Sequence, residues 1–193
     1  MTNDRDDLAV LAQVTELFEQ LCVTIHDDQW DLPTPRSEWN LDQLVDHVTG
    51  GNRFTVSILD GQFADHALQN TVESFDSSHR VAEAAISSFR ALVKAFSSPD
   101  ALNRPCHHVI GEVPGRVVLK LRLHDIIIHT WDIAQTLTPP ASLPSELVSW
   151  ALADLSDRES LAVQHFDLDT SGLQITQEEE QSPQVMLLSA FGR

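Results

Sequence analysis

The chain has 193 residues, enough for one domain with a sizeable core over 1–193, and 42% of them are hydrophobic, an ordinary globular share. Its 29 acidic residues against 12 basic ones give a formal net charge of −17, which sets aside nucleic acid and anionic membrane surfaces as partners. The two cysteines, Cys22 and Cys106, make neither a disulfide framework nor a CxxC metal site, and no basic-then-apolar leader or apolar run of about 18 residues is visible, so the expectation is a soluble, cytoplasmic protein with reduced thiols.

From Asp6 to Asp27, Leu8, Leu11, Ala12, Thr15, Phe18, Leu21, Cys22 and Ile25 recur at spacings of three and four and predict an amphipathic helix. Pro33 and Pro35 then impose an extended connection. Asn40 is a good N-cap with Gln43 at the capping-box position, and a second helix is expected from there through Leu59. Gly50-Gly51 inside it implies a bend or a very close neighbour, because glycine costs about 1 kcal/mol there relative to alanine.

Asp60 to Ser78 is polar and poorly periodic and reads as a loop or frayed helix. A third helix is expected over His79 to Phe96, stopped by Ser97-Ser98-Pro99. Ala101 to Gly115, with Pro105, Gly111, Pro114 and Gly115, reads as a loop containing a short hairpin over the bundle's end. The clearest helix runs from Arg116 to Leu137 and is closed by Thr138-Pro139-Pro140. A fifth is expected over Pro144 to His165, with Ser142 as a cap candidate. Beyond Asp167 the chain turns polar, with Glu178-Glu179-Glu180 read as solvated, and the apolar piece Val185 to Phe191 is expected to return to the body. Helices joined by loops argue for an all-α bundle.

The chemistry concentrates in Leu121-Arg122-Leu123-His124-Asp125-Ile126-Ile127-Ile128-His129. Asp125 and His129 are one helical turn apart, so both can point at one spot, and a buried carboxylate or imidazole needs a partner. A third donor should come from another helix, and His47, in the apolar setting Leu44-Val45-Asp46-His47-Val48, is the best candidate. A His, Asp, His set leaves positions open for water or substrate, the catalytic pattern. Imidazole with carboxylate suits zinc, nickel, iron or manganese; zinc leads and nickel follows.

The plainer readings stand beside this one. A lone histidine is commonly a satisfied core or surface group, and an Asp-x3-His pair equally makes a hydrogen bond that supports the fold. His124 lies about 140° from His129 around the helix and is expected to face solvent or the second helix. His107-His108 reads as surface, although it could overhang the site. His26, His66, His79 and His165 form no constellation. Asp132 reads as orienting a ligand histidine or contacting a polar ligand, Arg122 as a surface ion pair and Trp131 as core. Cys22 reads as core, and Cys106 as a loop thiol that could react. The chain has no G-x-S-x-G elbow, P-loop or G-x-G-x-x-G.

Two stretches carry a family resemblance. Trp30-Asp31-Leu32-Pro33-Thr34-Pro35 with Glu38-Trp39-Asn40-Leu41-Asp42-Gln43-Leu44-Val45-Asp46-His47-Val48, and Leu121 to Ala134 with His129-Thr130-Trp131-Asp132-Ile133-Ala134, resemble signatures of the mycothiol-dependent maleylpyruvate isomerase-like proteins. Those belong to the DinB/YfiT-like metal-binding four-helix bundles. The ending Leu187-Leu188-Ser189-Ala190-Phe191-Gly192-Arg193 is similar to the close of the short members.

The resemblance implies a four-helix core of unusual crossover topology with an extra C-terminal helix. It also implies a divalent metal on positions matching His47, Asp125 and His129, with Asp132, Arg122 and Trp131 as supporting or thiol-binding candidates. Many relatives have histidine or glutamate where this chain has Asp125. Mycothiol or a similar low-molecular-weight thiol is the implied cosubstrate, a small electrophile the other partner, and thiol transfer or isomerisation the implied activity. The characterised isomerase has a further C-terminal domain that contributes to its active site, and this chain ends before it, so the resemblance does not extend to maleylpyruvate isomerisation itself. A non-catalytic metal- or small-molecule-binding bundle is the alternative, and either a monomer or a homodimer fits.

Overall fold

The computed structural model of the chain describes residues 4–72, 81–157, 160–168 and 182–193. Helix α1 (Asp4–Thr24) buries Val10, Leu11, Val14, Phe18 and Cys22, so its inner face is turned from the expected one: Ala12 is exposed and Leu8, Thr15 and Leu21 are only partly buried. Helix α2 (Leu41–Leu59) starts where its caps dictate. The Asn40 side chain accepts from Gln43 N at 2.9 Å, and Asn40 N donates to Gln43 Oε1 at 3.1 Å. Helix α4 (Val81–Phe96) turns Ala85, Phe89, Leu92 and Phe96 inward, and residues 79–80 of the expected helix lie outside the described range. Between α2 and α4 comes α3 (Ala64–Val72). A loop or frayed helix was expected here, but Ala67 is fully buried, and that contact holds a turn pattern too short to read in sequence. Residues 73–78 lie outside the described range.

Strands β1 (Pro105–His108) and β2 (Gly111–Pro114) form the expected antiparallel hairpin, with Cys106 opposite Val113. Gly111 takes φ +112° at its turn, a conformation that favours glycine. Helix α5 (Gly115–Thr136) follows directly. It is buried on nearly every face, through Val118, Leu119, Leu123, Ile126, Ile127 and Ile133, so it is the helix the others surround. Helix α1 packs on α4 and α5, and α2 packs on the same two, which closes a four-helix ring in which chain neighbours α1 and α2 sit diagonally. Phe18 and Phe89 meet inside it with ring centroids 4.7 Å apart.

The expected helix from Pro144 to His165 is two helices, α6 (Ser145–Leu155) and α7 (Leu161–His165). The break falls at Ser156-Asp157, whose short polar side chains favour turns. It lets Ser160 Oγ reach back to Asp154 Oδ2 at 3.1 Å. Ser142 does not cap α6; Pro144 occupies that position with no side-chain bond. The apolar C-terminal piece does return, as α8 (Pro183–Ala190), burying Leu187 and Leu188 against α6. The Glu178 run lies outside the described range. Among the described residues no helix is long and apolar enough to cross a membrane.

Candidate metal centre

Helices α2 and α5 bring His47, Asp125 and His129 together. One donor atom from each lies within 4.8 Å of the others. Asp125 Oδ1 is 3.4 Å from His47 Nε2 and 3.6 Å from His129 Nε2. The first is a long hydrogen bond and the second lies beyond hydrogen-bond length, so the three groups satisfy one another only weakly. His129 is nearly buried, Asp125 is 16% exposed and His47 is 39% exposed, so the cluster opens on the His47 side.

Each inner donor is held from behind. His129 Nδ1 lies 2.9 Å from Asp132 Oδ2, and a bond there leaves Nε2 as the lone-pair nitrogen facing the cluster. Asp132 is fully buried and is clamped in turn by Arg193, whose Nε and Nη2 donate to Oδ1 and Oδ2 at 2.8 and 2.9 Å. Burial alone would raise its carboxyl, but the bonds from His129 and Arg193 hold it below the ordinary carboxylate value. Asp125 gives its other oxygen to Arg122 Nη1 at 2.6 Å. Here too burial would raise the carboxyl; the Arg122 guanidinium, then His129 and His47, outweigh it and keep Asp125 ionised far below the usual range.

Arg122 is therefore buried inside the bundle rather than paired at the surface. Its Nε donates to Asn52 Oδ1 at 2.9 Å and its Nη2 to Val48 O at 2.8 Å. Asn52 Nδ2 donates to Ser88 Oγ at 3.0 Å, tying α2, α4 and α5 together behind the centre. Gly51 leaves the room for this: a Cβ there would stand 2.2 Å from Arg122 Nη1. The close neighbour that the glycine pair implied is this guanidinium. Trp131, half-buried, packs against the core.

Several residues at the site went unread. Trp39 lies over it, its ring 4.5 Å from His47 and 5.7 Å from His129, with the Arg36 guanidinium stacked on it at 4.5 Å. The turn that places it is fixed by Thr34, whose N and Oγ1 both donate to Trp39 O. An aromatic just before an N-cap is ordinarily read as a hydrophobic staple, which hid this role. Asn52 and Arg193 carry no local pattern at all.

Two clefts of about 350 Å³ each meet at Asp125 and Phe166. One runs past His47, Gly50, Gly51 and Phe54 to His108 and Val109 of the hairpin. The other passes His129 to Arg36, Asp167 and Arg193. His108 is thus not surface: its ring meets Phe54 edge-on at 5.5 Å and His165 at 5.4 Å, and His165, which stood in no expected constellation, lines the same cleft. Burial, with His165 adding to it, pushes His108 down to about 4, so it is neutral at pH 7.

Two further expectations are corrected. His124 faces neither solvent nor α2; it is buried with Nε2 3.0 Å from Asp154 Oδ2, because α6 supplies a carboxylate that no helical wheel of α5 contains. Cys106 is a buried strand residue, not an open loop thiol, and burial raises its pKa against the opposing Arg104. Cys22 is core, pushed up to about 12 by burial and then by Glu19.

Comparison with known proteins agrees with the helical fold. Curated relatives in two strains of Mycobacterium tuberculosis, both described only as uncharacterized proteins, are 29% identical over 150 residues, spanning 77% of this chain and 76% of theirs. A crystal structure of a histidine-to-alanine mutant of the mycothiol-dependent maleylpyruvate isomerase superposes with a TM-score of 0.64 at 13% identity, over 80% of this chain and 69% of that one. A second crystal structure of that isomerase gives 0.58 at 14% identity with the same coverage. These show the helical-bundle fold. The family model of the mycothiol maleylpyruvate isomerase N-terminal domain matches residues 11–134, well over half of the chain and including His47, Asp125 and His129, and the chain belongs to that family.

Proposed function

We propose that this protein holds one divalent metal ion, zinc first and nickel second, on His47, Asp125 and His129, and uses it to join a small-molecule thiol of the mycothiol type to a small electrophile, as an S-transferase or isomerase. The observation that carries this is the cluster's own geometry: three donors from two helices within 4.8 Å, two of them held from behind, with nothing stronger among the three than one long His47–Asp125 hydrogen bond. A bound ion would supply the positive charge that keeps a thiol as thiolate near neutral pH.

The chain's residues do the rest. Arg122 keeps Asp125 ionised through Oδ2 and leaves Oδ1 turned toward the two histidines. Asp132 and Arg193 fix the His129 ring. Trp39 packs against both histidine rings and limits their movement. The protein's own two cysteines are buried and held protonated, so the nucleophile must come from outside. The incoming thiol gives its proton to solvent; its sulfur bonds to the electrophilic carbon, and the displaced group leaves with the electron pair, or, on an activated alkene, the sulfur departs again after bond rotation.

Elemental analysis of untagged protein tests the first half. About one ion per chain is expected, lost in both His47→Ala and His129→Ala. Protein that holds no metal and cannot be loaded with zinc or nickel overturns the reading. Metal without thiol conjugation across a panel of electrophiles leaves the non-catalytic binding bundle instead.

A further inference from the structure

We infer that the outer part of the cleft running from Asp125 to the hairpin, beyond the metal ligands, binds the uncharged, apolar body of the electrophile, so that this portion of the substrate is neutral aromatic or aliphatic rather than carboxylated. This rests on the functional reading above and names its substrate side. The cleft holds about 350 Å³, room for one small molecule beside the metal ligands His47 and Asp125, which line its inner end. Its walls are Phe54, Leu68, Val109, Val118, Leu121 and Phe166.

Among the described residues lining it, the sole guanidinium or ammonium group is Arg122, which is buried, bonded to Asn52 and the Val48 carbonyl, and neutralised by its ion pair with Asp125. His108 and His165 are packed edge-on against each other, and burial lowers both, so neither offers a cation at neutral pH. In the outer part of the cleft, away from the metal ligands, a carboxylate would lose its water and find no counter-charge, which is costly. The rim points the same way. Leu68 of α3 and Val109 of the hairpin turn are large apolar side chains that line the cleft and are left exposed. Apolar side chains gathered on a surface mark a binding site. The other cleft, with Arg36, Asp167 and Arg193, has the opposite character.

The test is a pair of fluorescent probes that differ by one charge: N-phenyl-1-naphthylamine, which is neutral, and 8-anilino-1-naphthalenesulfonate, its sulfonated counterpart. Titrations are run on the full chain in about 0.5 M salt, where the overall negative charge is screened. The neutral probe is expected to bind tighter by about tenfold or more. Leu68→Glu and Val109→Glu, both at exposed positions that tolerate charge in the folded chain, are expected to weaken it by about tenfold. Circular dichroism of both variants confirms folding. Equal affinity for the two probes, or a neutral probe indifferent to both substitutions in folded protein, overturns the inference. The probes need neither metal nor thiol. A failed metal analysis with intact probe selectivity therefore sinks the functional reading alone, and the reverse result sinks this one alone.

Discussion

Arg122 places its Nε, Nη1 and Nη2 on three different acceptors, and two of them come from α2. Its position depends on Gly51, and that dependence can be measured. Alanine at 51 would put a methyl 2.2 Å from Nη1, and the guanidinium cannot yield without abandoning Asp125, Asn52 or Val48. Gly51→Ala is expected to cost about 1–3 kcal/mol in urea unfolding. Gly50→Ala, where nothing lies within 4 Å, is expected to be neutral or to stabilise by up to about 1 kcal/mol. Equal effects at the two positions would contradict the close approach. Asp132 is the corresponding support for His129. Asp132→Asn keeps the shape but weakens the acceptor that fixes the imidazole, so zinc affinity, measured by competition with a chromogenic chelator, should fall about 10–100-fold. Unchanged affinity would show that Asp132 serves only the fold.

Among the elements, α5 explains both what could be read from sequence and what could not. Its run of Leu and Ile residues announced a buried helix, and the Asp125–His129 spacing lies within it, legible without any partner. The capping box of α2 and the proline and glycine punctuation of the hairpin were equally local signals. The misread residues are those whose partners lie far along the chain, Arg122 with Asn52 on α2 and His124 with Asp154 on α6; for Asp132, read as orienting a histidine, only the Arg193 partner after α8 was missed. A helical wheel shows a face, but not what meets it. The α5–α6 contact makes the point energetically. Asp154 is buried, takes Lys120 Nζ at 2.7 Å and lies 3.0 Å from His124 Nε2. Asp154→Ala leaves His124 buried without its carboxylate, while Lys120, partly exposed, can turn to water. The expected loss is about 3 kcal/mol, read from denaturant midpoints. A loss below about 1 kcal/mol would mean the network adds little to stability.

For the whole molecule, the dominant quantity is the net charge of −17, which repels itself at neutral pH. Mild acidification relieves that repulsion, and the raised carboxyls of Asp42 and Asp46, both lifted first by burial, favour the folded chain in the same direction as they protonate. His108 opposes them. Unfolded, it takes up a proton near 6.5; folded between Phe54 and His165, it does so only near 4. The unfolded chain therefore binds more protons between those values, so the contribution of His108 is complete above pH 6.5 and is lost as pH falls toward 4. Asp154 has a folded value below the ordinary 3.8, because His124 and Lys120 outweigh its burial, and its contribution is lost only on further acidification. Melting temperatures of the wild type and His108→Gln, taken from pH 7.5 to 4.5, separate these effects, since the carboxyl terms are common to both chains. The gap between the two curves should be constant above pH 6.5 and should shift in favour of His108→Gln as the pH falls from there to 4.5. A constant gap across the whole range would mean that His108 takes up its proton in the folded chain, and that the cleft beside it is wetter and more polar than its apolar walls imply.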